Sequence, residues 1–473
     1  MKRCSYLIIF VCSLPAVAQE GYNISFEIEG LRDTTTYLGY YYGEGTYLKD
    51  TALIDHTGKF SFKGNNKLPA GVYFVVLNKT RLFDFIVNKN QRFKITASQE
   101  DYLKHLKSID EKENEVFFNH MRFMLKNNES VQPYLSILKD STARDSDKRQ
   151  AQASVEEIDN LVQNHQHVLV ERHPDLLAAK YIMAQRPLTV PEEIRLATDK
   201  EKTLQYYKDH FWDGFDLSDD AFLRYPQPIY RQKVEDYLGN LFVQHPDTLL
   251  EAINLLISAA KENPETYKYL VWNLVLNYQQ PKIMGLDAIF VALYDQFFAN
   301  GEMDYWANDQ LKENLKKRAD QLRSSLIGRQ APNLIIQDLD KKPRSLESIE
   351  SKYTVIYFYD PDCGFCKKET PKLRDFSNKT TLDVSIYAVC ADSSLAKMTT
   401  YIEEMKIDHW INVNGPRTYT QHYKNIYDAD TTPTIYLLDE RKKIIAKKIA
   451  AGKIQEFLNN HENNTASSQT RTR

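Results

Sequence analysis

A pair of cysteines between a predicted strand and a predicted helix is the feature that most constrains this chain. Residues 354–359 form a β-branched and aromatic run, which predicts a buried strand. Residues 360–362, Asp-Pro-Asp, end that strand, and residues 364–376 have the composition of a helix with one charged side. Cys363 is therefore expected at the helix N-terminus, with Cys366 one turn further along the same face.

This placement points to thiol chemistry. Unsatisfied N–H groups and the helix dipole favour the thiolate of Cys363, and Cys366 is near enough in sequence to form a disulfide with it. The same C-x-x-C spacing is also half of a structural zinc site. No second C-x-x-C occurs in the chain, and His409 and His422 lie far from the pair without ligand spacing. The strand before and the helix after the cysteines favour a redox pair over zinc.

The stretch CGFCKKETP, together with Thr432-Pro433 before the strand-like TIYLLD, resembles the thioredoxin superfamily. It is most similar to the TlpA-like periplasmic thiol–disulfide oxidoreductases. The resemblance covers the C-terminal part of the chain and implies an α/β thioredoxin fold in which Cys363 and Cys366 are the catalytic redox disulfide. Thr432 and Pro433 match the cis-proline loop that faces the cysteines and binds a peptide substrate.

Two further residues of the active-site helix match the same family. Pro371 corresponds to the proline that kinks this helix in thioredoxins, and Glu369 to a buried glutamate of TlpA-like proteins. The resemblance implies that Glu369 is catalytic and accepts the proton of Cys366. The G-x-x-A-P segment at residues 328–332 matches the entry to TlpA-like and peroxiredoxin-like domains.

The chain departs from the thioredoxin pattern at two positions. Tyr357 stands where thioredoxins carry a strand aspartate, and Asp362 stands where they carry a tryptophan. Asp362 is expected to oppose thiolate formation at Cys363, whereas Lys367 and the helix N-terminus favour it. The Gly-Phe dipeptide between the cysteines also differs from the usual Gly-Pro, so the resemblance implies no redox potential.

The N-terminus predicts export. Lys2 and Arg3 precede an apolar run too short to span a membrane, and the run ends at the A-x-A segment 16–18. We predict a cleaved signal peptide at 1–18 and a periplasmic location. Lipoprotein anchoring through Cys12 is disfavoured because small residues do not precede it.

The remaining chain predicts a multidomain protein. Residues 19–99 contain short aromatic and β-branched runs separated by turn signals, which indicates an antiparallel β-sandwich. Residues 100–325 show amphipathic periodicity interrupted by prolines, which indicates an all-α domain. A thioredoxin-like domain is expected at 326–460, followed by a disordered tail at 461–473.

The charge composition argues against a nucleic-acid partner. The formal net charge of −3 over 473 residues is nearly balanced, so nucleic acid is not an expected partner. The expected function is disulfide exchange with protein substrates in the cell envelope, as a reductant supplied by a membrane-bound electron donor, with no cofactor and no metal. Two alternatives remain open: a peroxiredoxin-like peroxidase, disfavoured by Asp360 where a threonine or serine is expected, and an envelope scaffold with a regulatory or vestigial C-x-x-C.

Overall fold

The computed structural model describes residues 21–196 and 199–471. Its N-terminal part is a sandwich of two four-stranded sheets. Buried residues alternate with more exposed ones along Tyr22–Glu29, so one face of this strand joins the core. The strands are β1 (Tyr22–Glu29), β2 (Thr34–Tyr42), β3 (Gly45–Ile54), β4 (Lys59–Gly64), β5 (Gly71–Leu77), β6 (Thr80–Val87), β7 (Arg92–Ser98) and β8 (Lys107–Ile109).

The strand order is β4-β1-β7-β8 in one sheet and β3-β2-β5-β6 in the other. All neighbours are antiparallel except β1 and β7, which pair in parallel with Phe26 opposite Ile95. Local alternation cannot reveal this pairing, because it joins the first strand to one that lies far along the chain. Strand β8 also lies beyond residue 99, where the sequence predicted the sandwich to end.

Helices follow the sandwich, as predicted. Proline stands at the first helical position of two of them, where its missing N–H costs nothing. They are α1 (Tyr102–His105), which precedes β8, then α2 (Lys112–Lys139), α3 (Asp145–Arg172), α4 (Leu177–Gln185), α5 (Glu192–Arg195), α6 (Lys200–His210), α7 (Ile229–Asn240), α8 (Pro246–Ala260), α9 (Pro264–Gln279), α10 (Asp287–Leu293) and α11 (Asp309–Ser324).

The chain divides into two compact units. One contains the described residues up to Leu241 together with Ala259–Tyr267, and the other contains Phe242–Ser258 and the described residues from Lys268 onward. The helical stretch 100–325 therefore contributes to both units. In the second unit, helices α10 and α11 belong to the same compact body as the C-terminal α/β region.

The C-terminal region has the predicted strand–cysteines–helix order, and the three-part fold class is confirmed. Its strands are β9 (Ile335–Asp338), β10 (Pro343–Ser345), β11 (Tyr353–Tyr359), β12 (Val384–Cys390), β13 (Ile411–Thr418), β14 (Thr434–Leu438) and β15 (Ile444–Lys447). Its helices are α12 (Gly364–Lys379), α13 (Leu395–Met405), α14 (Tyr423–Ile426) and α15 (Ile454–Arg471).

Strand β11 is an interior strand of the seven-stranded sheet β10-β9-β13-β12-β11-β14-β15. It runs parallel to β12 and antiparallel to β14. All seven of its residues are buried, because alternate side chains enter cores on the two faces of the sheet. One core contains Cys366 and Leu373 of α12, so packing against the sheet fixes the position of α12 and of its cysteines.

The C-terminal helix differs from its prediction. Residues 461–471 continue α15 where a disordered tail was expected. The carboxylate of Glu462 accepts a hydrogen bond of 2.7 Å from the Tyr353 hydroxyl and pairs with Lys352 at 2.6 Å, which holds this part of the helix beside β11. The predicted signal peptide, 1–18, lies outside the described residues. Among the helices of residues 21–196 and 199–471, none has the length and apolar character needed to span a membrane.

Candidate active site

The two cysteines occupy different environments at the start of α12. Cys363 is the N-cap residue of the helix, and its Sγ accepts the Cys366 N–H at 3.4 Å. Cys363 is half-buried, whereas Cys366 is completely buried against the sheet. Both are present as thiols. Only Cys363 is therefore open to attack an incoming disulfide.

The loop before β14 lies against the half-buried Cys363. The peptide bond between Thr432 and Pro433 is cis, and the Cys363 thiol donates a hydrogen bond of 3.3 Å to the Thr432 carbonyl. The Thr434 hydroxyl donates to the Thr431 carbonyl at 2.7 Å and helps to fix the turn. The structure thus brings together four residues that the sequence placed in the site: Cys363, Cys366, Thr432 and Pro433.

The pKa values of the two thiols move in opposite directions. Burial raises the pKa of Cys363, but hydrogen bonds from the side chain and backbone of Cys366, from the Thr432 side chain and from the Phe365 backbone outweigh it, so the net shift is downward. Burial raises the pKa of Cys366 to about 12. At neutral pH the Cys363 thiol is the more readily ionised of the pair, and the Cys366 thiol stays protonated.

Glu369 lies one turn after Cys366 on α12, with its carboxylate in two other contacts. One oxygen accepts the Ala451 N–H at 2.9 Å, and the other accepts a hydrogen bond of 2.7 Å from Lys372. Burial raises the pKa of Glu369, but the bonds from Lys372 and Ala451 outweigh it and the net shift is downward. Among the described residues, neither oxygen of Glu369 has a hydrogen bond to a cysteine. Its catalytic role stays a prediction.

Comparison with known proteins identifies the C-terminal region. Residues 327–447 match the AhpC/TSA family, and this range includes the cysteines and the cis-proline loop. The C-terminal domain belongs to the AhpC/TSA family. The resemblance of the sequence to thioredoxin-type proteins is thereby confirmed. Two domains of unknown function match the rest of the chain, DUF4369 at 22–117 and DUF5106 at 140–320.

Individual relatives agree with this family. The thiol-disulfide oxidoreductase ResA of a Bacillus cereus strain is 24% identical over 124 residues, which is 26% of this chain and 69% of that protein. A thioredoxin-like protein of Haemophilus influenzae is 26% identical over 124 residues, 26% of this chain and 71% of that protein.

Solved structures are similar as well. A domain described as that of a possible thiol-disulfide isomerase from Cytophaga hutchinsonii is 34% identical, with a TM-score of 0.29, and covers 30% of this chain and 97% of its own. A thioredoxin-like protein of Bacteroides caccae is 18% identical, with a TM-score of 0.46, and covers 58% of this chain and 98% of its own.

The AhpC/TSA domain lines its buried cysteine with tyrosines. The hydroxyl of Thr370 lies 2.7 Å from that of Tyr357 and 2.6 Å from that of Tyr401. The Tyr359 ring stacks on both tyrosine rings, with centroids 5.6 Å from Tyr357 and 4.9 Å from Tyr401. Sequence reasoning noted Tyr357 as a departure from the thioredoxin pattern but missed Tyr401 and Thr370, since neither stands in a recognisable motif.

The acidic residue beside Cys363, Asp362, is paired. Lys397 contacts the carboxylates of Asp362 at 2.6 Å and of Asp392 at 3.1 Å. The carboxylates of Asp360, Asp362 and Asp392 approach one another within 4.8 Å, and Lys397 supplies a positive charge to this group. The opposition that Asp362 offers to the Cys363 thiolate is therefore reduced by Lys397.

Phe365, between the two cysteines of the AhpC/TSA domain, is 72% exposed. The ammonium group of Lys368 lies 5.8 Å from the centre of its ring. An exposed aromatic ring beside the accessible thiol is an apolar surface that a substrate can cover. Cys390, by contrast, is completely buried at the end of β12, and burial raises its pKa to about 11. Such a thiol is unreactive at neutral pH.

Proposed function

We propose that this protein is an exported thiol–disulfide oxidoreductase that reduces disulfides of protein substrates with the Cys363/Cys366 pair. The observation that carries the proposal is the asymmetry of the pair. A half-buried thiol with a lowered pKa stands at a helix N-terminus, and a fully buried thiol stands one turn behind it. The names of the relatives, thiol-disulfide oxidoreductase and thioredoxin-like protein, support the same reaction.

The reaction runs in two exchanges. The Cys363 thiolate attacks one sulfur of the substrate disulfide, whose S–S bond breaks and releases the first substrate thiolate. Cys366 then loses its proton and attacks the Cys363 sulfur of the mixed disulfide, which releases the second substrate thiolate and leaves a Cys363–Cys366 disulfide. The substrate gains two electrons and the protein loses them. Counted from the dithiol, the protein also releases two protons, and the two substrate thiolates take up two protons from water.

The substrate lies between two surfaces in this proposal. Thr432 and Pro433 form one side next to Cys363, and the exposed ring of Phe365 forms the other. Glu369, ionised and one turn from Cys366, accepts the proton that Cys366 loses. Each oxygen of Glu369 already accepts one hydrogen bond, from Lys372 or from Ala451, and retains a second lone pair for this proton.

Location and partners follow from the predicted export signal. Cleavage after residue 18 places the mature protein in the periplasm, where disulfides form and persist. Its substrates are then protein disulfides of the cell envelope. The disulfide left on the pair must be reduced again, and we propose a membrane-bound dithiol donor for that step.

Trapping the mixed disulfide tests the proposal. Cys366→Ser retains the attacking thiol and removes the resolving one, so a disulfide-linked adduct with a peptide disulfide is expected to accumulate and to be detected by mass. Cys363→Ser is the matched control and is expected to form none. If the Cys366→Ser protein forms no adduct either, the assigned roles are wrong.

The midpoint potential of the pair tests the direction of electron flow. The protein is equilibrated in dithiol buffers, and alkylated thiols are counted by mass. A two-electron transition at about −270 mV supports a reductant, and one at about −120 mV supports a disulfide donor.

A peroxidase is the second candidate, because the entry motif at 328–332 resembles that of peroxiredoxin-like domains and lies within the matched range 327–447. It predicts that the purified reduced protein consumes peroxide and that Cys363→Ser abolishes this consumption. An envelope scaffold predicts, instead, that the double variant Cys363→Ser/Cys366→Ser retains full function in the cell.

A further inference from the structure

Helix α11, which precedes the AhpC/TSA domain in sequence, contacts the segment that leads into the cis-proline loop. The side-chain amide of Gln321 is buried, and its nitrogen, which carries two hydrogens, lies within hydrogen-bond distance of three oxygens of this segment. It lies 2.7 Å from the Lys424 carbonyl, 3.3 Å from the Tyr427 carbonyl and 3.0 Å from the Asp430 carboxylate. One glutamine thus fixes three points within seven residues of chain.

Arg318, one turn earlier on α11, fixes a fourth point. Its guanidinium makes a bidentate pair with the Asp428 carboxylate, with bonds of 2.7 and 3.2 Å. Lys448 contacts the same carboxylate at 2.6 Å. Burial raises the pKa of Asp428, but the bonds from Arg318 and Lys448 outweigh it and the pKa falls, so the carboxylate stays charged.

The two α11 residues also support each other. Arg318 donates to the side-chain oxygen of Gln321 at 2.7 Å, which orients the amide so that its nitrogen faces the loop. Arg318 donates in addition to the Gln279 carbonyl at the end of α9, at 3.1 Å. The side chains of Arg318 and Gln321 are therefore also fixed by hydrogen bonds that do not involve the loop.

The held segment ends next to the nucleophile. Asp430, bonded to Gln321, is two residues before Thr432, whose carbonyl accepts the Cys363 thiol. Asp430 and Thr431 are themselves exposed, so neighbouring packing does not hold them in place. A loop with few buried contacts depends on its hydrogen bonds for a single position.

We infer that Arg318 and Gln321 are positioning residues of the active site, which hold the cis-proline loop in contact with Cys363. The inference rests on the proposed function, because the loop matters only if Cys363 exchanges disulfides there. Reacting groups must be held within a fraction of an ångström, and a displacement of about 1 Å can cost up to about 100-fold in rate. Helix α11 thus contributes to the redox site by positioning its cis-proline loop.

The test uses Arg318→Ala and Gln321→Ala in the full-length protein. A matched control is Arg323→Ala, because Arg323 lies on the same helix and also makes a bidentate pair, with Asp295 at 2.6 Å, but this pair is partly exposed and far from the loop in sequence. Two quantities are measured: the pH dependence of Cys363 alkylation in the reduced protein, and kcat and KM for a fluorescent peptide disulfide.

We expect both test variants to move the alkylation midpoint away from the wild-type value, because Thr432 lowers the Cys363 pKa through its side chain and accepts the thiol proton at its carbonyl, and displacement disturbs both contacts. We also expect KM for the peptide disulfide to rise about tenfold, and we expect Arg323→Ala to change neither quantity. Wild-type midpoints and KM values in correctly folded Arg318→Ala and Gln321→Ala proteins would overturn the inference.

Two further arms keep the result interpretable. Arg318→Lys retains the charge without the planar fork and is expected to give an intermediate shift, so it replaces Arg318→Ala if that variant does not fold. Alkylation does not require turnover. If the wild-type protein reduces no disulfide, the proposed function fails, while the alkylation midpoints still decide whether α11 positions the loop.

Discussion

The Cys363 thiol donates a hydrogen bond of 3.3 Å to the Thr432 carbonyl, across a separation of 69 residues in the chain. The donor of this bond is the group that must ionise, so the bond exists only in the thiol form. When Cys363 ionises, the Cys366 N–H at 3.4 Å remains as a donor to its sulfur. The Cys363 sulfur therefore contacts both the cis-proline loop and the helix as a thiol, and it keeps the helix contact as a thiolate. Both contacts influence its ionisation.

The first prediction concerns Cys366 as a partner of Cys363. Cys366→Ala removes the side-chain hydrogen bond that lowers the Cys363 pKa. Cys366→Ser supplies a hydroxyl that can replace this bond. Both variants retain the backbone N–H of residue 366. We expect the rate–pH profile of Cys363 alkylation to move to higher pH in Cys366→Ala and to move less in Cys366→Ser. Stopped-flow alkylation from pH 5 to 10 measures this. Profiles of both variants that coincide with the wild-type profile would show that the side chain of residue 366 has no influence.

The second prediction concerns the stability of the reduced protein at alkaline pH. Burial raises the pKa of Cys390 from about 9 to about 11. A raised pKa means that the stabilisation is complete below about pH 9 and is lost as the pH rises through about 11. For this thiol alone, the loss reaches about 2 kcal/mol of unfolding free energy by pH 11.

Cys390→Ala removes this titration. We expect its unfolding free energy to fall less steeply than that of the wild type between pH 9 and 11, as measured by urea unfolding at a series of pH values. A decline remains within and above this range, because burial raises the pKa of Cys366 from about 9, and that of Tyr423 from about 10, to about 12. Parallel curves for the two proteins would assign the alkaline loss to groups other than Cys390.

The sequence predicted the parts of the site that depend on local patterns. A β-branched run before a C-x-x-C and a helix after it specify β11 and α12, and Thr432-Pro433 before an apolar run specifies the loop and β14. Each of these signals lies within a few residues, where periodicity and the properties of proline and the helix N-terminus act directly.

The parts that escaped prediction depend on contacts between distant residues. Arg318 and Asp428 are 110 positions apart, and nothing near either residue indicates the other. Tyr401 reaches Thr370 only because α13 and α12 pack on the same face of the sheet. The contact of Glu462 with Tyr353 of β11 likewise joins distant residues, and the polar composition of residues 461–471 does not indicate it.

The third prediction separates two roles of Glu369. Glu369→Gln retains an oxygen for the Ala451 N–H and removes the charge, whereas Lys372→Met retains the charge and removes its partner. If Glu369 accepts the Cys366 proton, Glu369→Gln is expected to slow the second exchange about tenfold or more. Lys372→Met is not expected to slow it, since it frees one carboxylate oxygen.

The measurement is a single-turnover reaction with a peptide disulfide, quenched with acid and resolved by mass into mixed disulfide and products. Attack by Cys363, and therefore the rate of mixed-disulfide formation, is expected to be unchanged in both variants. Equal slowing of the second exchange by both variants would mean that the Glu369–Lys372 pair is structural and that neither group handles the proton.

The fourth prediction concerns the charge next to the nucleophile. Lys397 pairs with Asp362, the residue before Cys363, and with Asp392. Lys397→Ala leaves the Asp362 carboxylate uncompensated, and a nearby negative charge disfavours a thiolate, so the alkylation midpoint of Cys363 is expected to rise. The double variant Lys397→Ala/Asp362→Ala removes both charges and is expected to return the midpoint toward the wild-type value.

Salt distinguishes this effect from a change of structure. The ion pair between Lys397 and Asp362 is exposed, and the Debye length falls from about 10 Å at 0.1 M to about 3 Å at 1 M ionic strength. The rise caused by Lys397→Ala should therefore shrink in concentrated salt if it is electrostatic, whereas a displaced helix N-terminus would keep the midpoint high at every salt concentration. A midpoint unchanged at low salt would mean that solvent alone screens Asp362 from Cys363, and that Lys397 does not tune the nucleophile.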